Sequence, residues 1–208
     1  MSSYTLHYFD VDARAELIRL IFAYGGIEFK DVVYSFEEWP SVKGKFPFQT
    51  LPVLEIDGKQ LAQSSTIVRY LARVAGIDGR TSLERAKADM YTDAFAQDIV
   101  DKTYSFRVPF LEPDPEKRKI KGEEFIKEKL IPFFKQLEET FEKNGGGPWF
   151  CGDTFTYADL AFFRLINNVQ SLLKDSSIKH PSLYAVYKRV AEIPRIAEYQ
   201  KNKKERPF

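Results

Sequence analysis

The 208-residue sequence predicts a small α/β domain followed by a larger all-α domain. Three observations predict this. Up to Gly76, short stretches rich in aromatic and β-branched residues alternate with apolar patterns at helical spacing. A turn-rich stretch, Gly76-Ile77-Asp78-Gly79, then interrupts the chain. Beyond it the helical patterns continue, with no convincing strand. The boundaries read as 1–76 for the first domain, 77–82 for a linker and 83–208 for the helical domain.

Each element has its own signal. Tyr4 to Phe9 is rich in aromatic and β-branched types and reads as a strand. Arg14 to Tyr24 places Leu17, Ile18, Ile21 and Phe22 on one helical face, and Gly25-Gly26 ends it. Glu28 to Tyr34 is a second strand, and 37–45 is short and helical or irregular. Val53 to Ile56 and Gln60 to Ala62 flank Asp57-Gly58, a strong hairpin signal. Ser64 to Ala75 is a helix opened by Ser64-Ser65-Thr66, good capping chemistry. In the second half, helices are expected near 83–108, 116–143, 157–173, 182–191 and 194–203. Thr156 and Asp159 have capping-box spacing, with Phe155 placed to staple onto Leu160.

Composition prunes the functional classes. Net charge is +1, which gives no pull toward nucleic acid or an anionic membrane. The aromatic share of 15% is high and suits an aromatic core or an open apolar pocket. A single cysteine, Cys151, rules out an internal disulfide and fits a reducing, cytoplasmic setting. The N-terminus lacks the basic start and long apolar run of a signal peptide. The apolar run around Leu17 to Tyr24 is broken by Arg19 and is too short to span a bilayer. There is no His-Glu-x-x-His, Cys-x-x-Cys, Walker loop or Gly-x-Gly-x-x-Gly. His7 and His180, the two histidines, read as structural, and no metal is expected.

Four features of the first domain remain. Tyr8 ends the first strand, with Arg14 opening the next helix, so its phenol can face the cleft at the strand's carboxyl end. In Phe46-Pro47-Phe48-Gln49-Thr50-Leu51-Pro52-Val53, a cis Leu51-Pro52 bond would turn the chain and leave the Leu51 backbone open to pair with a peptide. Gln63 and Ser64 precede a helix whose free amide groups can take a carboxylate. Trp39 and Lys43 lie one helical turn apart, where a cation and a covering ring can meet a second carboxylate. Each has a plain alternative: a strand tyrosine, an ordinary turn, a helix cap and a surface lysine beside a packing tryptophan. Together they suit a small extended peptide with two carboxylates and a reactive group between them.

The segments Tyr4-Thr5-Leu6-His7-Tyr8-Phe9, Arg14-Ala15-Glu16-Leu17-Ile18-Arg19, Glu38-Trp39-Pro40, Pro47-Phe48 through Pro52-Val53-Leu54, Gln63-Ser64 through Arg69-Tyr70-Leu71 and Thr156-Tyr157-Ala158-Asp159 carry a resemblance. In this order and spacing the chain resembles cytosolic glutathione S-transferases end to end. It looks closest to the sigma-like class, which includes haematopoietic prostaglandin D synthases. The resemblance implies a thioredoxin-like domain before the helical one, glutathione as co-substrate, hydrophobic electrophiles and a homodimer. It implies Tyr8 as catalytic residue and Arg14, Trp39, Lys43, Gln49, Thr50, Leu51, Pro52, Gln63 and Ser64 around glutathione. Asp98 is the candidate for an acidic residue that crosses the dimer, although it falls one position late unless its helix bulges. Phe9, Tyr104, Phe106, Val108 and Phe208 are candidates for the electrophile site.

Two departures stand out. Relatives often have a glycine and a basic residue where this chain has Asp10-Val11-Asp12-Ala13, and a glycine where it has Gln49. Other readings within the resemblance are prostaglandin isomerisation and an S-crystallin-like structural or ligand-carrying role.

Overall fold

The structure is a computed structural model and describes residues 2–96, 112–170 and 180–206. The chain divides into two compact units. Unit 1 is Met1–Asp78 with Glu192–Phe208, and unit 2 is Gly79–Ala191. Residues 192–208, read from sequence as part of the helical domain, thus group with the first unit.

Unit 1 is built on a four-stranded mixed sheet in the order β2-β1-β3-β4. The strands are β1 (Tyr4–Phe9), β2 (Lys30–Tyr34), β3 (Val53–Ile56) and β4 (Lys59–Ala62). β1 and β2 are parallel, joined by the crossover helix α1 (Glu16–Gly25), while β3 runs antiparallel to both β1 and β4. The β3–β4 hairpin turns at Asp57 and Gly58, both at positive φ (48° and 80°), as the Asp-Gly signal requires. Helix α1 starts later than the sequence reading. Ala13–Ala15 forms one 3-10 turn, and the α-helix begins at Glu16. Gly26, at φ 60°, ends it.

Helix α1 packs against both α3 (Ser64–Val74) and the last helix of the chain. It is therefore buried all round from Glu16 to Phe22, Arg19 included, rather than on one face. Leu6, Leu20, Ile21, Val53, Leu54, Ile67 and Leu71 are fully enclosed around the sheet and helices. Each such side chain contributes roughly 1.5–3 kcal/mol through removal from water. Arg19 keeps its charge by pairing. Its Nε lies 3.0 Å from Asp31 Oδ2, and Nη1 donates to the Val11 carbonyl at 3.1 Å. Between β2 and β3 lies the short helix α2 (Trp39–Val42).

Unit 2 is helical among the described residues. It holds α4 (Ser82–Asp93), α5 (Pro115–Phe125), α6 (Ile131–Lys143), α7 (Tyr157–Gln170) and α8 (Pro181–Ala191). Between α5 and α6 a π turn, Ile126–Leu130, precedes Pro132. Proline has no N–H to donate and its ring crowds the carbonyl four residues back, which the wider turn relieves. Tyr91, Phe95, Phe141, Phe150 and Phe162 form the aromatic core. Asp159 reaches back from the first turn of α7 and accepts from the backbone N–H groups of Thr156 (2.8 Å) and Phe150 (2.9 Å). This is the capping geometry expected from Thr156 and Asp159. The Phe155 ring, expected over Leu160, stands edge-on to Trp149.

The last helix, α9 (Pro194–Asn202), returns to unit 1. No helix among the described residues is long and apolar enough to cross a membrane.

Candidate functional site

Strand register brings three of the four sequence features to one edge of the sheet. His7 pairs with Val53, and Val53 pairs with Ala62. The carboxyl end of β1, the start of β3 and the end of β4 therefore lie side by side. Tyr8 follows His7, Leu51-Pro52 precedes Val53, and Gln63-Ser64 follow Ala62. Neighbouring strands lie about 4.8 Å apart, so β1 and β4 are separated by roughly 10 Å. An extended chain advances about 3.4 Å per residue, so roughly three peptide residues span that edge.

At the β1 end, Tyr8 is 5% exposed. Its hydroxyl accepts a hydrogen bond from the backbone N–H of Arg14 at 3.3 Å. That bond occupies an oxygen lone pair and leaves the phenolic proton to donate elsewhere. Arg14 meets Tyr8 through its backbone, and its side chain is exposed.

At the start of β3, the Leu51-Pro52 peptide bond is cis, as expected. Leu51 lies just outside the ladder, whose first pair in β3 is Val53 with His7. Phe48 and Gln49 precede it at φ 55° and 50°. Glycine takes such a left-handed backbone without steric cost, whereas a glutamine there must be held by its surroundings. Gln49 and Thr50 are exposed.

At the end of β4, Gln63 adopts φ 73° and ψ 115°, outside the ordinary regions for a residue with a side chain. Holding such a conformation costs on the order of 1–3 kcal/mol, and such residues cluster at ligand sites. α3 begins at the next residue. The first backbone bond into the helix is Ile67 N–H to the Gln63 carbonyl at 2.9 Å. The amides of Ser64, Ser65 and Thr66 precede it and have no partner within the helix, which leaves a partly positive helix start at the edge.

The fourth feature joins through rings. Trp39 stands edge-on to Phe9 at 5.5 Å and stacks on Phe46 at 5.8 Å. Phe46 also meets His7 and Tyr34, at 5.2 and 5.6 Å. The segment from Trp39 to Phe46 is thereby fastened beside the ends of β1 and β2. Lys43 is exposed, and its N–H donates to the Trp39 carbonyl, one turn back. Phe9, an electrophile-site candidate, stacks on Phe36 at 4.7 Å and belongs to this same ring cluster. Phe46, the first residue of the Phe46–Val53 segment, is the hub of the cluster, a role the sequence reading did not give it.

Asp98, Tyr104, Phe106, Val108 and Phe208 lie outside the described residues. Just before Asp98, residues 94–96 are wound as π-helix, the kind of local widening that a one-residue offset requires. His7 Nδ1 is 3.0 Å from the Tyr34 hydroxyl and His180 pairs with Glu138, so both histidines have structural partners. A separate cleft of about 470 Å³ is bordered by Arg19, Asp31, Arg195, Tyr199, Lys203 and Arg206 among others, none of them part of the edge described above.

Residues 4–73 match the family model for the glutathione S-transferase N-terminal domain, and residues 98–203 match that for the C-terminal domain. The chain belongs to the glutathione S-transferase family. It is 35% identical to glutathione S-transferase 1 of Ascaris suum, with both chains covered in full. It is 34% identical to S-crystallin 4 of Enteroctopus dofleini, again over the whole of both chains. It is also 34% identical to haematopoietic prostaglandin D synthase of Gallus gallus, over 96% of each. Three relatives with different names thus stand at nearly equal identity. This transferase-family chain has the small α/β domain, built on a mixed sheet, and the helical domain that the sequence predicts.

Proposed function

We propose that this chain conjugates the sulfur of glutathione to hydrophobic electrophiles, with the Tyr8 hydroxyl holding the thiol as thiolate. The supporting observation is the register that puts Tyr8, Leu51-Pro52 and Gln63-Ser64 on one edge about a tripeptide wide. The γ-glutamyl carboxylate sits at Gln63, Ser64 and the start of α3. The cysteinyl backbone pairs with Leu51 beside Gln49 and Thr50. Trp39, Lys43 and Arg14 hold the glycyl end and the flank, and Asp98 serves the glutathione of a partner subunit. Phe9, Tyr104, Phe106, Val108 and Phe208 border the electrophile.

A free thiol has a pKa of roughly 8.5, so little of it is thiolate at neutral pH. A neutral phenol that donates to sulfur stabilises the anion and lowers that pKa. Lowering it by about two units takes about 2.7 kcal/mol, which one charge-assisted hydrogen bond beside a helix start can supply. Tyr8 need not ionise, because the Arg14 N–H fills an acceptor position of its oxygen and leaves its proton for the sulfur.

The sigma-like class, a cytoplasmic location, a role in detoxification and a homodimer complete the reading. Phe48, 77% exposed on the unit, is the apolar residue a dimer partner would cover. The S-crystallin similarity supports a second reading, a structural or carrier protein. Turnover of glutathione with a generic aryl halide decides between them. Conjugation supports the enzyme. Retained binding of an apolar dye with no conjugation supports the carrier.

A further inference from the structure

The acidic turn that departs from the family pattern, Asp10-Val11-Asp12-Ala13, faces a basic tail at the far end of the chain. Lys203 Nζ lies 2.7 Å from Asp12 Oδ2 and 3.0 Å from Glu16 Oε1. Lys204 pairs with Asp10. Arg206 reaches Asp10 Oδ1 at 3.1 Å and Asp31 Oδ2 at 2.9 Å. The Tyr199 hydroxyl donates to Glu16 Oε2 at 3.0 Å. The pairs differ in weight. The Lys203, Asp12 and Glu16 side chains are 22%, 15% and 5% exposed, so salt screens this centre weakly. Lys204 and Asp10 are 61% and 42% exposed, and that pair contributes little on its own.

The turn held in this way carries the backbone partner of Tyr8. The Asp12 carbonyl accepts from Ala15 and Glu16 at 3.1 and 2.9 Å, which fixes the 3-10 turn. Ala13 sits within it at φ 24°, a conformation that a residue with a side chain rarely takes unless its surroundings impose it. Arg14 follows, and its N–H meets the Tyr8 hydroxyl. Arg19 supports the turn from beneath through the Val11 carbonyl. The tail holds it from outside.

We propose that the C-terminal segment 203–206 positions the Asp10–Glu16 turn, with Lys203 as its principal positioning residue, and so sets how well Tyr8 stabilises the glutathione thiolate. This rests on the reading of Tyr8 given above. The acidic turn and the basic tail are one device.

The test uses the full chain and three variants, Lys203→Met, Lys203→Arg and Arg206→Gln. Glutathione itself is the probe. The thiol of bound glutathione is titrated by its ultraviolet thiolate absorbance, and amide exchange is followed across residues 10–16. Lys203→Met is expected to raise the bound-thiol pKa by about one unit, with roughly threefold less thiolate at pH 7 and little change in glutathione affinity. Exchange at Arg14, Ala15 and Glu16 speeds up. Lys203→Arg restores both readouts, and Arg206→Gln gives a smaller shift in the same direction, which keeps the test open if Lys203→Met folds poorly. A folded Lys203→Met whose bound-thiol titration superimposes on that of the wild type overturns the proposal. If wild-type protein itself fails to lower the thiol pKa, the Tyr8 reading fails instead. The tail is then judged by exchange alone, where unchanged protection of residues 10–16 in Lys203→Met refutes it.

Discussion

Cys151 and Asp159 show how two reactive-looking side chains are committed to structure. Cys151 is 7% exposed, and burial raises its thiol from 9.0 to about 11. The Thr156 hydroxyl lies 3.7 Å from its sulfur. A thiol so placed is overwhelmingly protonated at neutral pH and is a poor nucleophile. Native protein is expected to react with an aromatic disulfide reagent at least about a hundredfold more slowly than unfolded protein. Equal rates would show the sulfur to be accessible. Asp159 is fully enclosed, and burial raises its carboxyl to about 7 against the opposing pull of the Phe150 and Thr156 amides. Asp159→Ala leaves both buried amides without their acceptor. It should cost about 2–4 kcal/mol, read as a fall in the denaturation midpoint at unchanged slope. The aspartate was legible in sequence from its spacing to Thr156. Gln63 was half legible. Its place before a helix was plain, but its positive φ was not, because glutamine carries no signal for that backbone.

Among the elements, α1 and α9 depart furthest from the sequence reading. The periodicity of Leu17, Ile18, Ile21 and Phe22 marks one buried face of α1. It cannot reveal that a helix 170 residues later, α9, encloses the other, because local periodicity carries no information on a distant partner. The same distance hid the tail pairs. Asp10 and Asp12 looked like a local departure, and Lys203, Lys204 and Arg206 like a solvated end. The titrations of these groups fix a pH window. Burial alone would lower Lys203, but its bonds to Asp12 and Glu16 outweigh that and raise it above its ordinary 10.5. A lysine raised in the folded chain stabilises it fully below 10.5, and that contribution is lost as the pH rises through the higher folded value. The Lys204 hydrogen bond lowers Asp10 from 3.8, so its contribution is present above 3.8 and lost as the pH falls through the lower folded value. Glu16 acts in the opposite sense. Burial, then Asp12, raises it, so its ionisation opposes folding as the pH climbs. The thermal midpoint of Lys203→Met should therefore lie below wild type by a steady margin from about pH 6 to about pH 9 and converge on it above about pH 10.5. A gap that closes already near neutral pH would assign the effect to another group.

At the scale of the whole molecule, an α/β unit and a helical unit follow from residue type, periodicity and turn signals, and the juxtaposition of the candidate residues follows from register. The order in which Tyr8, Pro52 and Gln63 occur along the chain says nothing about their being neighbours. The antiparallel return of β3 beside β1, and of β4 beside β3, makes them so. Sequence reasoning reached that edge through residue types and resemblance, and the ladder supplies the physical reason that a tripeptide can lie along it. In the proposed reading, glutathione capture by the edge and activation of its sulfur by Tyr8 are separable. The decisive measurement compares Tyr8→Phe with wild type in two assays near neutral pH, equilibrium binding of glutathione and the rate of conjugation to an aryl halide. Phenylalanine keeps the ring and removes the donor. Affinity for glutathione should stay within about fivefold while kcat falls by roughly 25-fold, the loss of thiolate expected at pH 7 when the thiol pKa returns from about 6.5 to about 8.5. Conjugation by Tyr8→Phe at the wild-type rate would contradict the account.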